Sequence, residues 1–198
     1  MNHPKEEITF VMLKPDGVRR GLTGEVIRRI EQTGLKIVAL EMFQPTHDQI
    51  DNHYPKDAKW VNRVGEKTLN TYQKFGFDAG KELGTKDTAV IGKMVRGWLV
   101  DYMTSAPLVR MVVKGVHAIT MIRKMSGPTM PADAEMGTIR GDFSVDSAAA
   151  ANRDKRAVHN IIHASETPGE AQHEIEHWFG ARKDVIMDYK RTDESVGE

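Results

Sequence analysis

The hexapeptide Asn160-Ile161-Ile162-His163-Ala164-Ser165 sets an imidazole where an apolar, strand-forming run gives out. Imidazole is nucleophilic near neutral pH and can carry a phosphoryl group covalently, so His163 is a candidate nucleophile. The plainer alternative is a ring that only hydrogen-bonds at a strand end. Gly137-Thr138-Ile139-Arg140-Gly141-Asp142 holds an arginine between two glycines. Glycine lets backbone come close to a ligand, and a guanidinium grips phosphate with a planar fork. Upstream, Arg123 and Thr129 flank Gly127-Pro128, and with Arg140 they make a set suited to a polyphosphate. Any one of these arginines alone is better explained as solvated surface. Lys14-Pro15-Asp16-Gly17 reads as a turn whose lysine can meet a phosphate or a sugar hydroxyl.

A different chemistry competes for Glu174. His173-Glu174-Ile175-Glu176-His177 matches H-E-x-x-H, in which two histidines on one helix face hold zinc and the glutamate acts as general base. Glu176 puts a charge where such enzymes carry an apolar residue. A third ligand would have to come from Asp184, Asp188, Glu194 or Glu198, none of them in a supporting motif. A solvated helix face is the expected state of His173 and His177.

The elements that must position these groups follow from periodicity. Residues 8–13 form a short buried strand running into the 14–17 turn. Thr23 caps a helix whose face is Val26, Ile27 and Ile30, and Gly34 stops it. Residues 35–43 form a second strand, followed by a short helix ending near Tyr54-Pro55. Residues 55–93 are rich in Lys, Asp, Gly and Thr and read as an inserted lobe of helices and loops. A helix covers 94–103, and a third strand covers 108–113, ended by Gly115. Val116, Ile119 and Ile122 mark another helix. Residues 126–143 lack periodicity and form a long loop, which inside a compact domain is usually functional. Residues 146–156 are a second, smaller insertion. A fourth strand covers 158–162, and Thr167-Pro168-Gly169-Glu170 opens the last long helix with a capping box. Its buried stripe is Ala171, Ile175, Trp178 and Phe179; Gly180 closes it and the tail is extended. Leaving out the small helices, the order is βαββαβ, an α+β ferredoxin-like sandwich with a four-stranded antiparallel sheet and a mainly helical insertion. A single domain spans 1–198.

Lys plus Arg and Asp plus Glu are 28 each, so the formal net charge is zero and neither nucleic acid nor an anionic membrane is indicated as a partner. The chain has no cysteine, which excludes a disulfide framework and thiolate metal sites and points to the cytoplasm. Residues 1–7 are polar, without the apolar core of a signal peptide. No Walker A motif and no protein-kinase motif set is present.

Taken in order, Lys14-Pro15-Asp16-Gly17-Val18 with Arg20-Gly21, His53-Tyr54, Pro131-Ala132-Asp133, Gly137-Thr138-Ile139-Arg140-Gly141-Asp142-Phe143, Asn160-Ile161-Ile162-His163-Ala164-Ser165 and Trp178-Phe179 resemble the nucleoside diphosphate kinase family. The resemblance runs from Ile8 to Phe179 and skips roughly 55–93 and 146–156. It implies that His163 takes the γ-phosphate of a nucleoside triphosphate and passes it to a nucleoside diphosphate in ping-pong fashion, maintaining triphosphate pools. It further implies that Glu174 orients the imidazole and that Tyr54 lies beside the phosphate path. Arg123, Thr129 and Arg140 bind phosphate, and Lys14 and Asn160 reach the sugar 3′-hydroxyl. Mg²⁺ bridges the nucleotide phosphates without a protein metal site, and ATP and other nucleoside tri- and diphosphates are the ligands. Relatives are homo-oligomers, hexamers or tetramers. The residue that stacks on the base falls at Val95 by ungapped alignment, with Trp98 and Phe77 as alternatives. Ala164 stands where the family carries glycine. A catalytically silent binding module is the competing reading within the family.

Overall fold

The computed structural model describes residues 6–191. Residues 1–5 of the polar N-terminal segment and 192–198, with Glu194 and Glu198, lie outside the described residues. The elements are β1 (Glu6–Leu13), α1 (Pro15–Arg19), α2 (Thr23–Gln32), β2 (Lys36–Phe43), α3 (His47–His53), α4 (Ala58–Lys74), α5 (Ala79–Leu83), α6 (Thr88–Thr104), β3 (Leu108–Val116), α7 (Ala118–Ser126), α8 (Ile139–Phe143), α9 (Ala148–Arg153), β4 (Ile162–Ala164) and α10 (Pro168–Phe179). The sheet order is β2-β3-β1-β4 with every neighbouring pair antiparallel, the βαββαβ arrangement expected.

Side chains alternate across a strand, so each strand feeds two cores. Val11 and Leu13 of β1 pack with Val26, Ile30 and Ile122 beneath α2 and α7. Phe10 and Met12 pack on the opposite face with Ile50, Met103, Trp178 and Phe179 beneath α3, α6 and α10. In β4, Ile162 and Ala164 belong to the first core, which turns His163 between them toward the α10 face.

A third apolar cluster holds the lobe together: Tyr72, Ala79, Leu83 and Ile91, with Leu69, Phe77, Val95 and Trp98 packed against it. The expected helical lobe is therefore built from α4, α5 and the first turns of α6. Asp57, Asp78 and Asp87 cap these three helices through Trp60, Gly80 and Val90 amides. Helices α4 and α6 cross closely enough that a Cβ on Gly65 would stand 1.9 Å from the Thr88 carbonyl oxygen, and one on Gly92 would stand 2.0 Å from that of Val61. Alanine at position 92 would gain about 1 kcal/mol of helix propensity, but overpacking a fixed contact costs about 3 kcal/mol. Gly92→Ala is expected to lower stability by about 2 kcal/mol in urea denaturation; an unchanged midpoint would mean the crossing is loose.

Several boundaries differ from the sequence reading. Residues 15–19 form a helix because Pro15 occupies its first position, where a missing N–H costs nothing. Thr23 is the first residue of α2 rather than its cap, which is Leu22. Helix α6 begins at Thr88, six residues before the expected start. Strand β3 runs through Gly115 to Val116, and the left-handed His117 separates it from α7. The 126–143 loop contains a 3₁₀ turn at Pro131–Asp133 and ends in α8. At α10, Thr167 caps the Glu170 amide as expected, but the Glu170 carboxylate accepts from Glu166 N–H (2.7 Å), so the capping box is replaced by a longer reach. Gly180 closes α10 as expected, but the tail is not extended throughout: a 3₁₀ stretch, Gly180–Val185, follows, and the Met187 amide then bonds the Val38 carbonyl at 2.8 Å.

The most consequential difference lies at β4, which covers Ile162–Ala164 and not 158–162. Ile161, β-branched and fully buried, sits at φ 67°. That conformation is costly for such a residue and breaks the extended chain. Ile162 N–H bonds the Asn160 carbonyl at 2.7 Å, closing a three-residue turn. Asp16 accepts the Ile161 amide at 3.1 Å, and Ile161 O accepts the Lys14 amide at 2.7 Å. His163 is thereby placed inside the strand, opposite Met12.

Candidate active site

Lys14, Arg123, Thr129, Arg140, Asn160 and His163 line one open cleft of about 360 Å³, which Trp60 and Arg63 of α4 complete. Six sequence-selected residues from β1's end, α7, α8 and β4's approach thus converge. His163 is 23% exposed at its side chain, and its Nε2 lies 2.6 Å from Glu174 Oε1. Glu174 is buried, and its other oxygen accepts the Ser165 hydroxyl at 2.6 Å. A carboxylate only accepts, so Nε2 carries the proton and Nδ1 keeps its lone pair. The imidazole edge left free in the cleft is therefore nucleophilic.

Arg140 is 8% exposed. Its guanidinium donates to three backbone carbonyls, those of Gly127 (2.6 Å), Asn160 (3.2 Å) and Ile162 (2.5 Å). One side chain so ties the glycine loop to the β4 approach. Three donors are spent, and the two left over can meet an anion in the cleft. Burial, then the neighbouring Arg123 charge, pulls its pKa down to about 10. Arg123 lies at the cleft mouth with Glu166 at 3.2 Å.

Lys14 donates to Asn160 Oδ1 at 2.7 Å, and Asn160 Nδ2 donates to the Thr129 carbonyl at 2.9 Å. Burial first, then the Arg140 charge, lowers the Lys14 pKa to about 8, against partial relief from Asp16. In the unfolded chain the ordinary value is 10.5. Between those values the unfolded state binds more protons, so stability rises with pH across that window and the full cost is borne below pH 8. The cost is about 3 kcal/mol. Relative to Lys14→Met, the wild type is expected to gain stability from pH 8 to pH 10.5 in parallel denaturant titrations; a flat difference would contradict the buried cation.

Behind His163, the His53 and His163 rings meet edge-on at 5.3 Å. His53 Nδ1 accepts from Trp178 Nε1 at 3.3 Å. Burial and then surrounding cationic groups, His163 foremost, hold the His53 pKa well below its ordinary value. Tyr54 contacts His53 and Trp60 rather than the cleft surface, and burial followed by Glu174 raises its hydroxyl pKa. Val95 is not at the cleft: it lies in the lobe cluster with Phe77 and Trp98, because the longer α6 turns that face onto α4. Trp60 and Arg63, inside the segment set aside as an insertion, escaped the sequence reading; their i,i+3 spacing after the Asp57 cap was the available signal.

His173 is exposed, while His177 bonds the Gln49 carbonyl at 3.0 Å and packs on Trp178, so it is not the solvated residue expected. Glu174 faces away to His163, which dissolves the zinc motif. Ligand atoms of His53, His163 and Glu174 do lie within 4.8 Å of one another. A tetrahedral zinc holds its ligand atoms about 3.3 Å apart; the 2.6 Å contact between His163 and Glu174 is a hydrogen bond with no room for an ion.

A family model for nucleoside diphosphate kinase matches residues 7–61 and 90–183. The chain belongs to the nucleoside diphosphate kinase family. A nucleoside diphosphate kinase from Pyrobaculum aerophilum is 47% identical over 92% of this chain and 98% of its own length. One from Archaeoglobus fulgidus is 39% identical over 95% of each. The crystal structure of the Pyrobaculum aerophilum NDP kinase superposes with TM-score 0.88 at 44% identity, covering 92% of this chain and all of that one. A Borrelia burgdorferi nucleoside-diphosphate kinase, solved as a transition-state mimic with bound vanadate and ADP, gives TM-score 0.78 at 34% identity over 97% and 96% of the two chains. Membership in the nucleoside diphosphate kinase family makes the protein a phosphotransferase acting on nucleotides. No helix among the described residues is long and apolar enough to cross a membrane.

Proposed function

We propose that this enzyme transfers the γ-phosphate of a nucleoside triphosphate to a nucleoside diphosphate through a phosphohistidine at Nδ1 of His163, and thereby maintains triphosphate pools. The observation that carries the reading is the Nε2–Glu174 contact of 2.6 Å, which fixes the ring and leaves Nδ1 toward the cationic cleft. In the forward half-reaction Nδ1 attacks γ-phosphorus, the bond to the β–γ bridging oxygen breaks, and the diphosphate leaves. The second half-reaction reverses this with a different diphosphate. Phosphoryl transfer depends on positioning and on spread positive charge. Arg123, Arg140 and Thr129 supply that at the phosphates, Lys14 and Asn160 hold the sugar 3′-hydroxyl, and Tyr54 backs His53, the ring that meets His163 edge-on.

Of the cleft lining, Lys14, Arg63, Arg123 and Arg140 are cationic, and of its two carboxylates Glu166 is paired to Arg123 while Glu170 accepts the Glu166 amide. That donor set suits Mg²⁺ carried on phosphate oxygens and water better than a protein cage; the ion would neutralise phosphate charge. The reading extends to a cytoplasmic homo-oligomer, hexamer or tetramer, and to a single domain in which 55–93 and 146–156 are insertions. The gap in the family match at 62–89 supports the first insertion. An open cleft with an exposed imidazole edge favours the enzyme over a silent binding module.

Steady-state kinetics test the covalent route. Double-reciprocal plots at several fixed diphosphate concentrations should be parallel, and labelled ADP should exchange into ATP with no second nucleotide present. Intersecting lines without exchange would replace the phosphoenzyme with direct transfer.

A further inference from the structure

We propose that Tyr102, near the C-terminal end of α6 and outside the cleft, is a positioning residue for phosphoryl transfer: its hydroxyl pins Asp16, and Asp16 pins the left-handed turn at Ile161 that aims His163. The inference rests on the phosphohistidine reading and adds a residue to its machinery.

Ile161 sits at φ 67° without being glycine, so its conformation persists only while its neighbours over-determine it. The Ile161 amide donates to Asp16 Oδ2 at 3.1 Å, and Asp16 Oδ1 accepts from the Tyr102 hydroxyl. Asp16 is half-buried and lies in α1, a helix of only 5 residues. Tyr102 belongs to α6, which has 17 residues, and its ring is seated in the second core. The bond between them transfers the rigidity of α6 to an otherwise rotatable carboxylate. Burial first, then the Asp16 charge, raises the Tyr102 hydroxyl pKa and keeps it a donor.

The same ring supports the chain that enters the turn. Tyr102 stacks on His159, with centroids 4.9 Å apart and planes at 22°. The His159 backbone is held on both sides: Ser144 Oγ donates to its carbonyl at 2.7 Å, and Asp146 accepts its amide at 2.7 Å. Tyr102 so braces the turn twice, through Asp16 at Ile161 and through the ring at His159.

What the turn carries is the site itself. The Asn160 and Ile162 carbonyls, on either side of Ile161, accept from Arg140. The Ile161 carbonyl accepts the Lys14 amide, and His163 follows in β4. Relaxation of Ile161 toward extended backbone would move the imidazole against the phosphate groups. Neither Tyr102 nor Asp16 lines the cleft, so any effect on the reaction passes through this turn.

The test is the rate of phosphoenzyme formation in the full-length enzyme at saturating ATP and Mg²⁺, measured beside ADP affinity and urea denaturation. Tyr102→Phe deletes one oxygen and keeps the stacking ring. It is expected to slow phosphoenzyme formation about tenfold or more, because misplacement by about 1 Å can cost about 10²-fold. The ADP dissociation constant should change by less than about threefold, since binding is less sensitive to orientation than transfer. Asp16→Ala should lose at least as much rate. Asp16→Asn keeps an acceptor for the Ile161 amide and a partner for the Tyr102 oxygen, and should recover most of that loss. An unchanged rate in Tyr102→Phe, or an equal loss of rate and ADP affinity, would make Tyr102 a packing residue and overturn the proposal. A failure of Asp16→Asn to improve on Asp16→Ala would overturn it as well. Absence of a phosphoenzyme in the wild type would refute the covalent mechanism instead. The brace would then be judged on steady-state transfer, where the same loss in Tyr102→Phe is required.

Discussion

His163→Ala is expected to yield no phosphoenzyme and to lower nucleoside diphosphate phosphorylation by at least ~10⁴-fold, the equivalent of about 5.5 kcal/mol in barrier height. Cutting the side chain at Cβ removes the imidazole that lines the cleft, while on the proposed reading Lys14, Arg123 and Arg140 remain to hold polyphosphate. Nucleotide affinity should therefore survive when activity is gone. Folding should survive as well. The ring is partly exposed, its neighbours Ile162 and Ala164 anchor the strand in the other core, and Glu174 keeps its bond to Ser165. Far-UV circular dichroism and ADP binding, measured beside the kinetics, separate loss of chemistry from loss of structure. Activity within about tenfold of wild type would remove His163 from the mechanism.

Glu174 carries the second large effect. Its carboxylate is buried, bonds both His163 and Ser165, and is the acceptor that selects the imidazole tautomer. A phosphorylated imidazole with a proton on Nε2 is cationic, so the carboxylate also stabilises charge that develops during transfer. Glu174→Gln keeps the shape but lets either amide end face the ring, and should reduce kcat about 10²-fold with little change in KM. Glu174→Ala also opens a cavity and leaves the Ser165 hydroxyl without a partner, and should cost about 10³-fold in kcat and about 2 kcal/mol of stability. Stopped assays and thermal unfolding of the two variants check this pair. Equal kcat in both would show that orientation and charge are immaterial.

Much of this was legible in the sequence because it depends on short-range pattern. Phe10 to Leu13 alternates between two cores, as a two-faced strand must, and the βαββαβ order follows from such runs. The cleft was legible through residue type: His163, Arg140, Arg123, Thr129, Lys14 and Asn160 are scattered along the chain, the bonded pair Lys14 and Asn160 lying 146 positions apart, yet their chemistry is complementary. What escaped had tertiary causes. The left-handed turn at Ile161 is held by Asp16 and Lys14 from the other end of the chain, so nothing in 158–162 announces that the strand starts late. The ungapped choice of Val95 failed for a tertiary reason: the longer α6 packs that face into the lobe cluster, while Trp60 and Arg63 of α4 line the cleft. The Asp57, Asp78 and Asp87 caps were available as signals for where three helices start in a segment whose sparse hydrophobics gave only a lobe of helices and loops.

The most direct measurement is the position of the phosphoryl group. Wild-type enzyme mixed with γ-labelled ATP and Mg²⁺ would be quenched in alkali, digested, and the labelled peptide identified by mass spectrometry, with phosphorus NMR assigning the nitrogen. The account predicts stoichiometric label on His163 at Nδ1, because Nε2 is held by Glu174. Label on Nε2, on Ser165 or Glu174, or no label while transfer proceeds at full rate, would contradict it.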